Sequence, residues 1–162
     1  MKKSKCQFGN TQVDYLGHLI TCDGVAVDPK KIQSVQEWST PTSARSVRGF
    51  LRLVGYYRKF VQGFGIIAAP LTKLLGKDGF AWTAEAHSAF EKLKAALVSP
   101  PILQLPDFSQ PFVVECDASG TGIRAILSQA NRPIAYFSEA LKGSAKALST
   151  DDKEMLVVVK AV

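Results

Sequence analysis

Cysteine is scarce in this 162-residue sequence and scattered where it occurs, at Cys6, Cys22 and Cys116. An odd, widely spaced set fits reduced thiols and argues against a disulfide framework. Histidine is scarcer, with two in the whole chain. His18 and Cys22 make at most half a metal site with Cys6, since no paired CxxC or HxxxH supports one. No stretch approaches the roughly 20 consecutive apolar residues that a bilayer-spanning helix needs. The N-terminus, MKKSKCQFGNTQ, lacks the apolar centre of a signal peptide. These absences lead to the expectation of an intracellular protein, cytoplasmic or nuclear, with no membrane partner.

Acidic residues are also in the minority, 14 against 20 Lys and Arg, for a net charge of +6. The excess is uneven. Residues 1–100 carry 14 basic and 7 acidic side chains, a balance of +7, whereas residues 101–162 carry 6 and 7, a balance of −1. A polyanion contacting the first part is one reading, and scattered solvated lysines are the other. With 46% apolar residues, the chain reads as one ordinary globular domain or two small ones.

Short β-type runs at 13–20 and 25–27, separated by Gly-Asn-Thr and Cys-Asp-Gly, predict a hairpin or small meander. Asp28-Pro29 then supplies an N-cap with proline at the first helical position, and Ile32, Val35 and Trp38 recur at helical spacing. A second helix is predicted over 43–61, with Val47, Phe50, Leu51, Val54, Tyr57 and Val61 on one face. Arg45, Arg48, Arg52 and Lys59 form a basic stripe on its other side. Gly49 and Gly55 lie near that stripe, each costing a helix interior up to about 1 kcal/mol relative to alanine, so a bend or break is expected near Gly55. They serve either close approach of a ligand or helix packing.

Thr83 caps a further helix with Ala86, Phe90, Leu93 and Leu97 on one face, and the proline-rich connector LPDFSQP follows. Three strands are predicted at 112–116, 123–128 and 133–138, then a helix opened by Ser149-Thr150 with Met155, Val158 and Val162 on one face. Asp117 ends what reads as a buried strand. Arg124 interrupts the next, and alternation alone leaves open whether it faces the core or solvent.

The blocks FGNTQVDYLGHLITCDGVAVDPKKIQSVQEW, RGFLRLVGYYRKFV, IAAPLTKLL, FAWTAEAHSAFEKLKAAL, PPILQLPDFSQPFVVECDASGTGI, PIAYFSEAL and DKEMLVVVKAV, in this order, resemble the pol polyprotein of Gypsy-type long-terminal-repeat retrotransposons. The resemblance covers nearly the whole chain. It implies the end of a reverse-transcriptase palm with a primer-grip-like hairpin (1–27), thumb-like helices (28–75), a helical tether or connection (76–110) and the start of a ribonuclease H domain (111–162). The fold expected is α+β: an N-terminal β-hairpin and thumb-like helical bundle, then a truncated ribonuclease H-like mixed sheet with one helix.

The resemblance also implies roles. Tyr15, Gly17 and His18 belong to the hairpin that positions a primer strand. Arg45, Arg48, Gly49, Arg52, Gly55 and Lys59 suit contact with duplex backbone by shape and charge. Asp117 and Glu154 stand at two ribonuclease H positions, where clustered carboxylates hold two Mg²⁺ ions. The family uses four such acids, and the chain stops at Val162 before the other two. The metal site is therefore expected to be incomplete, with no cofactor for the isolated chain. At positions 52 and 124, arginine replaces the glycine of relatives. The expected function is a catalytically inactive fragment that binds an RNA–DNA hybrid or duplex weakly. The alternative is a protein-interaction module that associates with itself or a host protein; ribonuclease H activity would need the missing polyprotein segments.

Overall fold

The computed structural model describes residues 9–76 and 80–161. Cys6, and with it the half metal site considered above, lies outside them, as does Val162.

Strands β1 (Gln12–Tyr15), β2 (His18–Thr21) and β3 (Gly24–Val27) form an antiparallel meander in that order. Tyr15 pairs with His18, leaving Leu16 and Gly17 as a two-residue turn with φ of 49° and 79°. Both lie in the left-handed region that tight hairpins require, and the one at Leu16 is costly for a branched side chain. Beyond the second turn, Val25 of β3 exchanges backbone hydrogen bonds with Leu103 at 2.7 and 2.9 Å. Gly24 permits this approach, because a Cβ there would stand 2.1 Å from the Leu103 carbonyl oxygen.

Helix α1 (Pro29–Gln36) starts as its sequence predicts, with the Asp28 carboxylate accepting from the Lys30 amide at 2.9 Å. Helix α2 (Ala44–Tyr56) is capped by Ser43. It ends earlier than the 43–61 pattern suggests. The chain tightens through Tyr57 into a 3₁₀ turn, Arg58–Phe60, which turns Phe60 and Val61 into the core. Apolar spacing alone does not reveal this break, because Tyr57, Phe60 and Val61 are buried on either side of it. Lys59 therefore leaves the helical stripe and sits on the turn.

Two short helices, α3 (Phe64–Ile67) and α4 (Ala69–Lys73), lead to α5 (Ala84–Val98), capped by Thr83. Ala86, Phe90, Leu93 and Leu97 of α5 are all buried, as their spacing predicts. One core gathers Val27, Val35, Val47, Phe50, Val54, Leu71, Phe90 and Leu103, so the meander, α1 to α5 and the connector share one interior.

The second sheet contains β4 (Val113–Ala118), β5 (Gly122–Gln129) and β6 (Arg132–Ala140), again in sequence order. Its three strands are all antiparallel, as consecutive strands joined by tight turns must be. Helix α6 (Thr150–Ala161) packs on β4 and β5 around a smaller core of Ile123, Ala125, Leu141 and Val157.

Two expectations are corrected here. β4 is not buried: most of it is exposed, with Val113 at 52%, because it lies at the sheet edge. On α6 the inward residue is Val157, while Met155 and Val158 face solvent. The run Leu156 to Val159 is apolar on all sides, so its periodicity does not single out a face.

The two sheets are tied together at one end. Arg132 donates to the Asp23 carbonyl at 2.8 Å, and the Gln104 amide donates to the Pro133 carbonyl at 2.8 Å. Elsewhere the Gly65 amide of α3 donates to the Ser138 hydroxyl of β6 at 2.8 Å.

Candidate nucleic-acid interface

Two consecutive tyrosines fix the first hairpin. The Tyr56 hydroxyl donates to the Leu16 carbonyl at 2.7 Å, and the Tyr57 hydroxyl donates to the Gly17 carbonyl at 3.1 Å. These bonds hold the turn in its left-handed conformation against the cost at Leu16. Adjacent residues on a helix end point about 100° apart; here Tyr57 lies in the core and Tyr56 on the surface. Burial pushes the Tyr57 phenol up to about 12, with the neighbouring Tyr56 adding to the shift. It remains a donor throughout the neutral range. The His18 ring is surrounded by Tyr56, Tyr57 and Phe60, with ring centres 5.3 to 5.7 Å away.

The clamp creates a groove of about 570 Å³ between hairpin and helix. Leu16 and Gly17 form one wall, and Gly49, Arg52 and Tyr56 of α2 form the other, with Lys31 of α1 at its margin. The groove thus has an apolar and aromatic lining and two cations. Among the described residues, no carboxylate lines it. Such a surface suits a phosphate-bearing backbone, with sugar faces against the lining.

Of the residues singled out by sequence, Gly17, Gly49 and Arg52 meet in this groove. His18 lies behind it among the aromatic rings. Tyr15, Arg45 and Arg48 are exposed nearby in sequence but do not line it, and Lys59 belongs to the turn beyond α2. A Cβ on Gly49 would meet Trp38 at 3.5 Å and one on Gly55 would meet Phe64 at 3.9 Å. Both are ordinary contacts, so packing does not force glycine at either position. Tyr56, Tyr57 as a clamp and Lys31 escape sequence reasoning; the Tyr-Tyr pair is the available signal, since a buried phenol needs an acceptor.

Asp117 and Glu154 occupy β4 and α6, and both are exposed. They do not bond each other. Asp117 is paired across the sheet with Arg124, whose Nε donates to Oδ2 at 2.9 Å while Nη2 contacts the same oxygen. Arg124 is therefore on the solvent side, its side chain 44% exposed against 57% for Asp117. The arrangement does not fit a two-metal centre. One carboxylate is engaged by a guanidinium, and among the described residues no three His, Cys, Asp or Glu side chains converge. Among the described residues, too, no helix is long and apolar enough to cross a membrane.

Residues 82–162 match the family described as the RNase H-like domain found in reverse transcriptase. The chain is 39% identical over 163 aligned positions to the retrovirus-related Pol polyprotein from transposon 297 of Drosophila melanogaster, covering 99% of this chain and 15% of that protein. It is 36% identical to the Pol polyprotein from transposon gypsy of the same organism, covering 100% and 17%. An uncharacterized mitochondrial protein of Arabidopsis thaliana is 46% identical over 113 positions, 68% of this chain and 72% of that protein. The chain thus spans less than a fifth of the Drosophila polyproteins it resembles. Among solved structures it is similar to the foamy viral protease-reverse transcriptase in complex with RNA/DNA hybrid, with a TM-score of 0.86 and 25% identity over 94% of this chain and 21% of that one. A complex of the same viral protein with double-stranded DNA gives a TM-score of 0.85, again at 25% identity, covering 94% and 33%.

Proposed function

This chain belongs to the RNase H-like domain family found in reverse transcriptase, and we propose that it is the part of a retrotransposon Pol polyprotein that grips a nucleic-acid duplex without cutting it alone. In this reading the hairpin (1–27) and thumb-like helices (28–75) hold an RNA–DNA hybrid or duplex, residues 76–110 tether them, and residues 111–162 begin the ribonuclease unit.

The observation that carries the proposal is the tyrosine clamp. By tying the Leu16-Gly17 turn to α2, it makes one continuous groove of the hairpin tip and the Arg52 side of the helix. The solved relatives with RNA/DNA hybrid and double-stranded DNA bound support the choice of ligand. Contact is by phosphate and shape rather than by base sequence, so affinity falls as salt rises. Arg45, Arg48 and Lys59 contribute to the field around the groove, and Tyr15 and His18 to the presentation and support of the turn.

Fluorescence anisotropy with a labelled RNA–DNA hybrid at increasing salt tests this. The expected result is weak binding at low salt that declines steadily with salt and is shared by double-stranded DNA. Binding that is absent at low salt or indifferent to salt defeats it. Cleavage of the hybrid by the isolated chain with Mg²⁺, abolished by Asp117→Asn, defeats the claim of inactivity.

A second reading, association with another copy or a host protein, is favoured by β4. Val113 and Val114 are exposed along an edge strand, with Phe112 exposed just before it, and such an edge presents unpaired backbone groups to any incoming strand. Light scattering on purified protein separates this reading from the first.

A further inference from the structure

We infer that Arg124 takes the place of a divalent cation at Asp117, so that this carboxylate acts as half of a cross-strand ion pair and is withheld from metal. The inference does not depend on whether the hairpin groove binds duplex. Asp117 and Arg124 stand directly opposite each other in the β4–β5 register. Both nitrogens that reach the carboxylate converge on one oxygen, Oδ2. Each is a charge-assisted donor, and a metal that took Oδ2, alone or as part of a bidentate carboxylate, would have to displace them both.

Electrostatics adds to the displacement. The guanidinium is itself a cation, so it competes with a metal by charge as well as by its hydrogen bonds. A dication placed about 4 Å from it is disfavoured about 30-fold even with the screening of bulk water. Extra carboxylates would offset that repulsion, but among the described residues no group of three or more His, Cys, Asp or Glu side chains gathers to hold a metal. Neighbouring Cys116 and Ala118 pack into the small core under α6, which fixes the strand and keeps Asp117 facing Arg124. The salt bridge is exposed and of little worth to stability. Its effect is on what else can bind the carboxylate.

Mn²⁺ serves as the probe, read by paramagnetic broadening of backbone amide signals in the full chain and in Arg124→Gly and Arg124→Gln. The glycine variant clears the space; the glutamine variant removes the charge while keeping bulk, and covers the case in which glycine weakens the strand. The expected result is broadening centred on residues 116–118 in a folded variant, at Mn²⁺ concentrations at least tenfold below any that affect the parent chain there. Adding Asp117→Asn to the same variant should remove it. Equal broadening in parent and variants overturns the inference, and so does a lack of broadening at Asp117 in every folded variant. Duplex affinity measured in parallel should be the same in all of them, which separates this result from the fate of the groove.

Discussion

Tyr56 and Leu16, 40 residues apart in sequence, are joined by a 2.7 Å hydrogen bond from phenol to carbonyl. The bond is exposed, so its loss in Tyr56→Phe should cost about 0.5 kcal/mol of stability. The same change frees the tip of the hairpin and should weaken hybrid binding about threefold to tenfold. Urea denaturation beside anisotropy titration separates the two effects. Equal losses in both would mean that Tyr56 serves the fold alone.

Gly17 is constrained twice, by a φ of 79° and by the Tyr57 hydroxyl, which a Cβ would meet at 2.7 Å. Gly17→Ala should therefore cost about 2 to 3 kcal/mol. For a chain of this size that lowers the melting temperature by roughly 5–10 °C. Calorimetry checks it. Gly63 is a useful comparison, since its φ is 73° but a Cβ there meets nothing within 4 Å, so Gly63→Ala should cost only the backbone part.

Tyr57 gives the fold an alkaline limit. Its pKa is near 10 in the unfolded chain and about 12 in the folded one. A group raised on folding stabilises fully below its unfolded value and loses that contribution as pH rises through its folded value. Stability should be insensitive to this group up to about pH 10 and decline between 10 and about 12. Tyr57→Phe should remove that decline, as read by chemical denaturation across the window.

Arg52 and Lys31 border the groove from different helices. If each meets a phosphate, Arg52→Ala and Lys31→Ala should each reduce the slope of log affinity against log salt by about one, and the pair by about two. Arg45→Ala should change the slope less. Loss of affinity with an unchanged slope would show that these cations do not touch phosphate.

At the other end of the molecule, Val114 sits on the open edge and is 40% exposed. Val114→Lys should reduce any concentration-dependent association, because a charge on an edge strand opposes pairing with another strand. Its effect on unfolding should be within about 0.5 kcal/mol. Sedimentation velocity over a concentration series provides the check.

Where local chemistry decides structure, the sequence is easily read. Asp28-Pro29, Ser43 and Thr83 start helices because their side chains satisfy free amides at those positions, and the face of α5 follows from one periodic set of residues. The end of α2 is not legible in the same way, since the 3₁₀ turn after Tyr57 preserves the apolar rhythm while moving Lys59 off the stripe. The inward face of α6 is hidden by residues that are apolar on every side.

The site divides along similar lines. Gly49 and Arg52 were accessible through helix phase, and Gly17 only through the resemblance, because 13–20 reads as one β-type run that the structure turns at Leu16-Gly17. The bonds from Tyr56 and Tyr57 to the hairpin are not, because they join segments 40 residues apart and depend on tertiary packing. Arg124 was conspicuous as a charge inside a strand, but only the β4–β5 register reveals its partner.

The two interiors are unequal, and that inequality sets an order of events. Among the described residues, the buried cluster beneath α6 consists of Ile123, Ala125, Leu141 and Val157, whereas the tyrosine clamp is anchored through Tyr57 in the larger core. Amides of β4 and α6 should exchange with solvent through partial openings well before those of α2 and α5. Under mild denaturant the chain would then pass through a form that has shed its ribonuclease-like end while the hairpin groove is still assembled, a grip that outlasts its frayed neighbour.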